Sequence, residues 1–150
     1  MVELNLPEYD VKVKKTGGIL HIWDRLRRKY VVLTPEEWVR QHFVNYLITL
    51  KGYPEAMIVN ERQLVLNNCR KRCDSVVYDN RLRPLVILEY KSPSVRIGQE
   101  VFNQIARYNI VLKVNYLIVS NGLSHYCCKI DYERQAFSFL KDVPLYSELF

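Results

Sequence analysis

Asp74, Glu89 and Lys91 have the residue types and the spacing of a divalent-metal site. They lie beside two short apolar runs, at 75–78 and 85–88, which are separated by a polar segment that contains a proline. β-Branched and apolar runs of this length are typical of strands, and a polar connection of this kind predicts a hairpin. The three charged residues therefore lie at the open end of two predicted neighbouring strands.

The register of this hairpin decides whether the two carboxylates meet. A four-residue loop would place Asp79 opposite Pro84. Counting back along both strands then brings Asp74 opposite Glu89. Directly opposed side chains share a face of the sheet, with Cβ atoms about 4.5–5.5 Å apart. Lys91, two residues beyond Glu89, points to that face as well.

Opposed carboxylates repel each other, and a shared cation removes that cost. Mg²⁺ prefers oxygen ligands and commonly uses only one or two protein carboxylates. Such an ion holds a phosphate oxygen and acidifies a water, while a nearby lysine orients the water or stabilises developing charge. The pattern predicts a Mg²⁺ (or Mn²⁺) site for phosphodiester hydrolysis. A surface ion pair on a solvated sheet face would use the same residues and stays open as the alternative.

Composition indicates one folded domain without a membrane segment. The 150 residues are 49% hydrophobic, and the net charge is +6 with a pI near 9.2, as expected of a protein that meets nucleic acid. There is no apolar run long enough for a transmembrane helix and no signal peptide at the start. The four cysteines lack the paired spacing of a zinc site, so we expect free thiols in a cytoplasmic protein.

A helix is predicted to start at Thr34. Thr34 is a suitable N-cap, Pro35 takes the first helical position, and Glu37 completes a capping box. The helix would end near Gly52. Glu37 would then be occupied by the cap, while Glu36 would continue the inward apolar stripe and supply a buried carboxylate near the site. The alternative role for Glu36 is a favourable interaction with the helix dipole.

The remaining elements complete an α/β pattern. Gln104 and Tyr108 would lie one turn apart on a second helix, and Arg72 belongs to a basic run that could contact phosphates. With no internal repeat and no linker, residues 1–150 are predicted to form a single domain around a mixed sheet. The other predicted strands are 19–23, 30–33, 56–59, 63–66, 115–120 and 124–130, and the second helix is predicted at 98–112.

These residues together resemble the PD-(D/E)xK nuclease superfamily. The order is a helix glutamate, then Asp74, then Glu89-Tyr90-Lys91, then Gln104-x-x-x-Tyr108. The pattern is most similar to the N-terminal nuclease domain of the restriction (R, or HsdR) subunit of type I restriction enzymes. The resemblance covers about residues 20–132 and includes the segments 34–41, 72–74 and 99–104.

The resemblance implies a restriction-endonuclease-like fold, with a mixed central β-sheet flanked by helices. It implies Asp74 and Glu89 as metal ligands and Lys91 as the catalytic lysine. Glu36, four residues before an arginine, matches the helix glutamate of the family. Gln104 and Tyr108 would support the site or the DNA backbone beside it. The superfamily's proline before the first carboxylate is absent, since Cys73 stands there.

The predicted function is therefore a metal-dependent DNA nuclease domain with DNA and other restriction-modification subunits as partners. No phosphate-loop motif of the G-x-x-x-x-G-K-[ST] type occurs, so no ATPase motor is expected in this chain. Two alternatives remain. One is a non-catalytic nucleic-acid-binding or assembly module, and the other is a junction resolvase, which would require a symmetric dimer. The choice between endonuclease and exonuclease also stays open.

Overall fold

The structure is a computed structural model that describes residues 1–66 and 68–150, with the side chains of Leu66 and Tyr108 outside the description. After an extended N-terminal segment, the chain forms a small antiparallel sheet. On its middle strand Ile22 and Asp24 are buried at alternate positions, so one face of this sheet turns towards the rest of the protein. Its strands are β1 (Val13–Thr16), β2 (Ile19–Asp24) and β3 (Lys29–Val32).

Helix α1 (Pro35–Leu50) begins and ends where the sequence predicts. The hydroxyl of Thr34 accepts a hydrogen bond from the Glu37 N–H at 3.1 Å. At the other end, Gly52 has a φ of +70°, the left-handed conformation that commonly ends helices. Val39 and Phe43 are fully buried. The inward apolar stripe of α1 is therefore confirmed.

A second, mixed sheet forms the centre of the molecule. Among the described residues it has six strands in sequential order, and all neighbours are antiparallel except β6 and β7. That pair is parallel because helix α2 (Gln99–Ile110) crosses over between its strands. The strands are β4 (Ile58–Leu66), β5 (Cys69–Tyr78), β6 (Pro84–Tyr90), β7 (Tyr116–Ser120), β8 (His125–Asp131) and β9 (Ala136–Leu140).

The predicted mixed α/β fold is confirmed, with differences in its elements. The segments 56–59 and 63–66, predicted separately, belong mostly to the single strand β4, β5 begins earlier than predicted, and β1 and β9 were not predicted. Phe102, Ala106 and Asn109 are buried on α2, while Val101 and Ile105 are half-buried. No helix in the described part of the chain has the length and apolar character needed to cross a bilayer.

The central sheet is covered on both faces, which explains why its middle strands are apolar throughout. On β6, Val86 and Leu88 pack with α1 in one core cluster. Ile87, between them, packs with Phe102 and other residues of α2 in the second cluster. Strand alternation therefore assigns Glu89 to the α2 face of the sheet.

The loop between β7 and β8 contacts the N-terminal segment closely. Gly122 has a φ of +85°, and its carbonyl accepts a hydrogen bond from the Asn5 N–H at 2.8 Å. A Cβ atom at Gly122 would lie 2.6 Å from a methyl carbon of Leu4 and 3.1 Å from a methyl carbon of Val39. A side chain at this position would therefore push the N-terminal segment away from α1.

We predict that Gly122→Ala destabilises the protein by about 1 kcal/mol more than Gly17→Ala. Both glycines have positive φ, so both variants incur the same kind of backbone strain, but nothing lies within 4 Å of a Cβ at Gly17. Urea unfolding followed by circular dichroism measures both. Equal losses of stability would show that the Leu4 contact contributes nothing.

Candidate active site

Asp74 and Glu89 lie on neighbouring strands, each next to a pair that has the predicted register. Ser75 pairs with Leu88 and Val76 with Ile87, and Asp74 and Glu89 follow directly on the two strands. The two carboxyl groups are close enough for a hydrogen bond between them when Glu89 carries a proton. The structure therefore brings these two predicted site residues together.

The turn of this hairpin differs from the prediction. A bulge after Val77 shifts the register, so that Tyr78, and not Asp79, lies opposite Pro84. The cause is the Asp79 carboxylate, which accepts hydrogen bonds from the N–H groups of Arg81 and Arg83, both at 2.9 Å. These bonds stabilise the resulting five-residue loop, 79–83. The shift occurs beyond Val77, so the pairs from Val77 to Ser75 keep the predicted register.

Glu89 is buried in an environment that disfavours its charge. Burial, and then the neighbouring Asp74 carboxylate, raise the pKa of Glu89 to about 7. Its Oε1 atom is buried and accepts no hydrogen bond, although the Lys71 Nζ atom lies 3.3 Å away and forms an ion pair with it. Asp74 is better satisfied, since its Oδ2 atom accepts the Tyr90 N–H at 2.9 Å.

Lys91 follows the carboxylate pair at the end of β6. Its backbone N–H donates to the Ser120 carbonyl at 2.8 Å, which holds this part of the chain against β7. The side chain is half-buried, and none of the hydrogen bonds or ion pairs of the described residues engages its ammonium group. Lys91 is thus fixed at its backbone, one residue beyond the end of β6, and the direction of its side chain towards the face of Glu89 stays a prediction.

The predicted substrate contacts lie on the surface or outside the description. Gln104 is exposed on α2. Arg72 is also exposed, and its Nε atom donates to Glu61 Oε2 at 2.8 Å. The side chain of Tyr108 lies outside the described residues. Their roles towards a substrate stay predictions.

The prediction that Glu36 points inward is wrong, because Glu36 is exposed and Glu37 is buried. Thr34 accepts the Glu37 N–H as predicted, but the Glu37 carboxylate does not return to the cap. It accepts hydrogen bonds from Arg27 Nη2 at 2.8 Å and from the Gln41 amide at 2.9 Å. A buried carboxylate gains more from charge-assisted bonds than from a backbone N–H at the helix start.

Arg40 joins the helix to the sheet directly beneath Asp74. Its guanidinium donates to Glu37 Oε2 at 2.9 Å, to Glu61 Oε1 at 2.6 Å and to the backbone carbonyl of Asp74 at 2.7 Å. It also lies 5.9 Å from the centre of the Tyr90 ring. Burial alone would raise the pKa of Glu61, but the hydrogen bond and charge of Arg40 outweigh it, so that pKa is lowered.

A second chain of hydrogen bonds connects the same site to the small sheet. The Tyr90 hydroxyl donates to Ser75 Oγ at 3.0 Å, and Ser75 Oγ donates to Asn60 Oδ1 at 2.6 Å. The Asn60 amide in turn donates to Asp24 Oδ2 at 2.9 Å. Asp24 also pairs with Arg27, which reaches the helix glutamate. The site therefore rests on a continuous buried network of polar side chains.

Sequence reasoning missed the supporting roles of Glu37, Glu61, Lys71 and Asp24. The available signal for Glu37 was its position three residues before Arg40 and four before Gln41, the spacing of neighbours on a helix. No local signal marks Glu61, whose φ of +55° and two arginine partners depend on tertiary contacts.

The donor set at Asp74 and Glu89 fits a hard divalent cation. The described residues contain no group of three or more His, Cys, Asp and Glu side chains arranged for a metal. Two carboxylates nevertheless suffice for Mg²⁺, which retains several waters. The buried Oε1 atom of Glu89, which accepts no hydrogen bond, is the ligand atom that such an ion would satisfy.

We predict that Glu37→Ala destabilises the protein by about 3–5 kcal/mol, while Glu36→Ala changes stability by less than about 0.5 kcal/mol. The first substitution removes the buried carboxylate that Arg27 and Arg40 share, and the second removes an exposed side chain. Chemical unfolding of both variants gives the comparison. Similar effects at the two positions would contradict the assignment of Glu37 as the buried acid.

We predict that Glu89→Gln makes the metal-free protein more stable than wild type at pH 8.5. The pKa of Glu89 in the folded protein, about 7, lies above its ordinary value of 4.5. The stabilising contribution of Glu89 is therefore complete below pH 4.5 and is lost as pH rises through 7. Since one pKa unit equals about 1.4 kcal/mol, the advantage of the variant should reach about 2–3 kcal/mol.

Unfolding in EDTA at pH 5 and pH 8.5 tests this prediction, with Glu133→Gln as an exposed control. The control should show no change in relative stability between the two pH values. If Glu89→Gln behaves like the control, the carboxylate of Glu89 is not destabilised by its surroundings.

Two solved structures are similar to this chain, and the first of them supports the fold. A structure assigned to a fragment of an HsdR subunit of a type I restriction enzyme from Vibrio vulnificus YJ016 matches with a TM-score of 0.53 and 19% identity, covering 78% of this chain. A cryo-EM structure of a DrdV–DNA complex matches with a TM-score of 0.46 and 16% identity, covering 77%. This chain spans 24% and 11% of those two chains.

The family assignment comes from the sequence itself. No curated protein matches the chain. Residues 35–144, however, match the family model described as the type I restriction enzyme R protein N terminus (HSDR_N). This match covers most of the chain, including α1 and the whole central sheet. The chain therefore belongs to the family of type I restriction enzyme R protein N-terminal regions.

Proposed function

We propose that this chain is a Mg²⁺-dependent deoxyribonuclease domain of the PD-(D/E)xK type, which hydrolyses phosphodiester bonds at Asp74 and Glu89. One observation carries the proposal. Two carboxylates face each other on neighbouring strands, and the more buried one, Glu89, has an Oε1 atom without a hydrogen bond and a pKa raised to about 7. Such a pair costs stability unless a cation neutralises it, and sites of this kind are concentrated where function requires them.

Asp74 and Glu89 would hold the metal ion. The Tyr90 N–H fixes one oxygen of Asp74, which leaves the other oxygen to face the ion. Arg40 holds the Asp74 backbone from beneath and restricts its movement. A bound Mg²⁺ would supply neutralisation of the phosphate charge and acidification of a water. The rigid support matters because catalytic geometry tolerates only small displacements.

Lys91 would act on the reacting groups. Hydrolysis adds a water oxygen to phosphorus and breaks a phosphorus–oxygen bond, so negative charge develops on the phosphoryl oxygens and on the leaving oxygen. An ammonium group close to this charge stabilises it and helps to orient the water. The Lys91 ammonium engages no partner among the described residues and can turn towards a substrate.

The glutamates of α1 do not have the role that was expected of Glu36, which was to supply a carboxylate near the metal site. Glu36 is exposed, and Glu37 is committed to Arg27 and Arg40. We therefore assign to Glu37 the support of the Asp74 strand through Arg40, and we assign no contact with the ion to either glutamate.

DNA is the proposed substrate because of the family and the charge of the chain. The R subunit belongs to restriction systems, and the net charge of +6 suits a polyanion. Arg72 and Gln104 are exposed and remain available for contacts with the DNA backbone. Tyr108 stays a proposed substrate contact on the grounds of the sequence motif alone. Other restriction-modification subunits are the proposed protein partners.

We predict that Asp74→Asn and Lys91→Ala each lower the rate of DNA cleavage at least about 100-fold, the range of a lost acid–base or charge-stabilising group. Purified protein is incubated with supercoiled and linear DNA in Mg²⁺, in Mn²⁺ and in EDTA. Lys141→Ala, which removes an exposed lysine, should cleave like wild type. Far-UV circular dichroism confirms that each variant is folded.

Two results would contradict this function. Wild-type protein that cuts nothing in either metal, while it and Asp74→Asn bind DNA equally, would identify a non-catalytic binding module. Cleavage that requires a four-way junction, by a protein that elutes as a dimer from a sizing column, would identify a junction resolvase.

A further inference from the structure

Lys71 differs from its basic neighbours in its surroundings. Arg70 and Arg72 are exposed, whereas the Lys71 side chain is only 17% exposed and its Nζ atom lies 3.3 Å from Glu89 Oε1. Alternation along β5 explains the difference, because residue 71 points to the side opposite that of residues 70 and 72. Lys71 is thus the member of this basic run that contacts the carboxylate pair.

The charges around Glu89 suggest why a lysine lies there. When ionised, Asp74 and Glu89 bring two negative charges to one end of the sheet, and the Lys71 ammonium neutralises one of them. A divalent cation between the carboxylates would neutralise both. It would also repel an ammonium group that stayed within a few ångströms, since like charges in a partly buried site interact strongly. Lys71 and a metal ion therefore compete for the negatively charged carboxylates of Asp74 and Glu89.

On the basis of the proposed metal-dependent nuclease function, we propose that Lys71 is the counter-cation of the metal-free site and exchanges Glu89 for a DNA phosphate when the metal ion binds. Lysine suits such an exchange, because its ammonium is a compact charge on a flexible four-carbon stem and binds phosphate without a fixed geometry.

This exchange couples the two ligands. A metal ion that displaces Lys71 makes a cation available to DNA, and DNA that engages Lys71 removes the competitor of the metal. Coupling of binding free energies is reciprocal, so each ligand raises the affinity for the other by the same factor. In the absence of both ligands, the ion pair reduces the repulsion between Asp74 and Glu89.

The test compares Lys71→Met with Arg70→Met, which removes the same charge from the adjacent, exposed position. Titration calorimetry at pH 8 measures Mn²⁺ affinity without DNA. Fluorescence anisotropy with a labelled 20-base-pair duplex in Ca²⁺ measures DNA affinity. Lys71→Met should bind Mn²⁺ about fivefold more tightly than wild type and bind DNA about fivefold more weakly, a typical size for coupling between sites. Arg70→Met should weaken DNA binding but leave Mn²⁺ affinity unchanged.

A measurement on wild-type protein covers the case in which Lys71→Met fails to fold. The rate at which Lys71 is acetylated by an N-hydroxysuccinimide ester, read by mass spectrometry, should rise when Mn²⁺ is added, while Lys141 reacts at a constant rate. Added DNA should then protect Lys71.

The outcomes separate this inference from the proposed function. Wild-type protein that binds Mn²⁺, with an affinity that Lys71→Met leaves unchanged or weakens, overturns the exchange and leaves the metal site in place. A Lys71 acetylation rate that does not respond to Mn²⁺ in metal-binding wild type has the same consequence. Wild-type protein that binds no Mn²⁺ overturns both proposals.

Discussion

The buried guanidinium of Arg40 is the interaction on which the rest of the site depends. It ties Glu37 of α1 and Glu61 of β4 to the backbone of Asp74 on β5. Burying a charge costs free energy unless hydrogen-bond and ion-pair partners compensate for the lost water. All three contacts must therefore form together, or the arginine destabilises the core. The helix and both strands are thereby fixed in one relative position, and the Asp74 carboxylate takes its place from that arrangement.

Buried carboxylates in this protein fall into two kinds, and the contrast separates support from function. Burial would raise the pKa of Asp24, but hydrogen bonds from Arg27 and Asn60 outweigh it, so that pKa is lowered. Glu89 is buried as well, but its pKa rises, because burial and then the Asp74 charge disfavour the ionised form and Lys71 compensates only in part. The first carboxylate stabilises the fold at neutral pH, whereas the second costs stability there. A domain retains such a cost where a ligand removes it.

The sequence predicted the elements that local rules determine. The register of β5 and β6 was derived from a four-residue loop that proved wrong at the turn, but the pairs from Ser75 to Val77 have the predicted register. A slip by one residue there would move every buried side chain to the wrong face. The start of α1 followed from its cap. The roles of Glu36 and Glu37 were predicted the wrong way round, because the capping-box pattern considers only local contacts. The actual partners of Glu37 are Arg27, ten residues away, and Arg40, one turn along the helix. Strand β9 was missed although four of its five residues are apolar, so a strand signal was present in the sequence; most of these residues are exposed in the structure.

The position of the carboxylate pair follows from the one parallel connection between neighbouring strands of the central sheet. Strand β6 must leave the sheet after Tyr90 so that α2 can cross over to β7, and ligands commonly bind at such carboxyl ends of parallel strands. The chain also becomes more exposed to solvent as it leaves the sheet, since Glu89 is buried while Lys91 is half-buried. A phosphate can therefore approach Lys91 from solvent while Glu89 stays in the low-dielectric interior. Glu89 and Lys91 are only two residues apart, yet they have different environments because their burial differs. The acidic ligand is buried, and the cationic group is accessible to solvent.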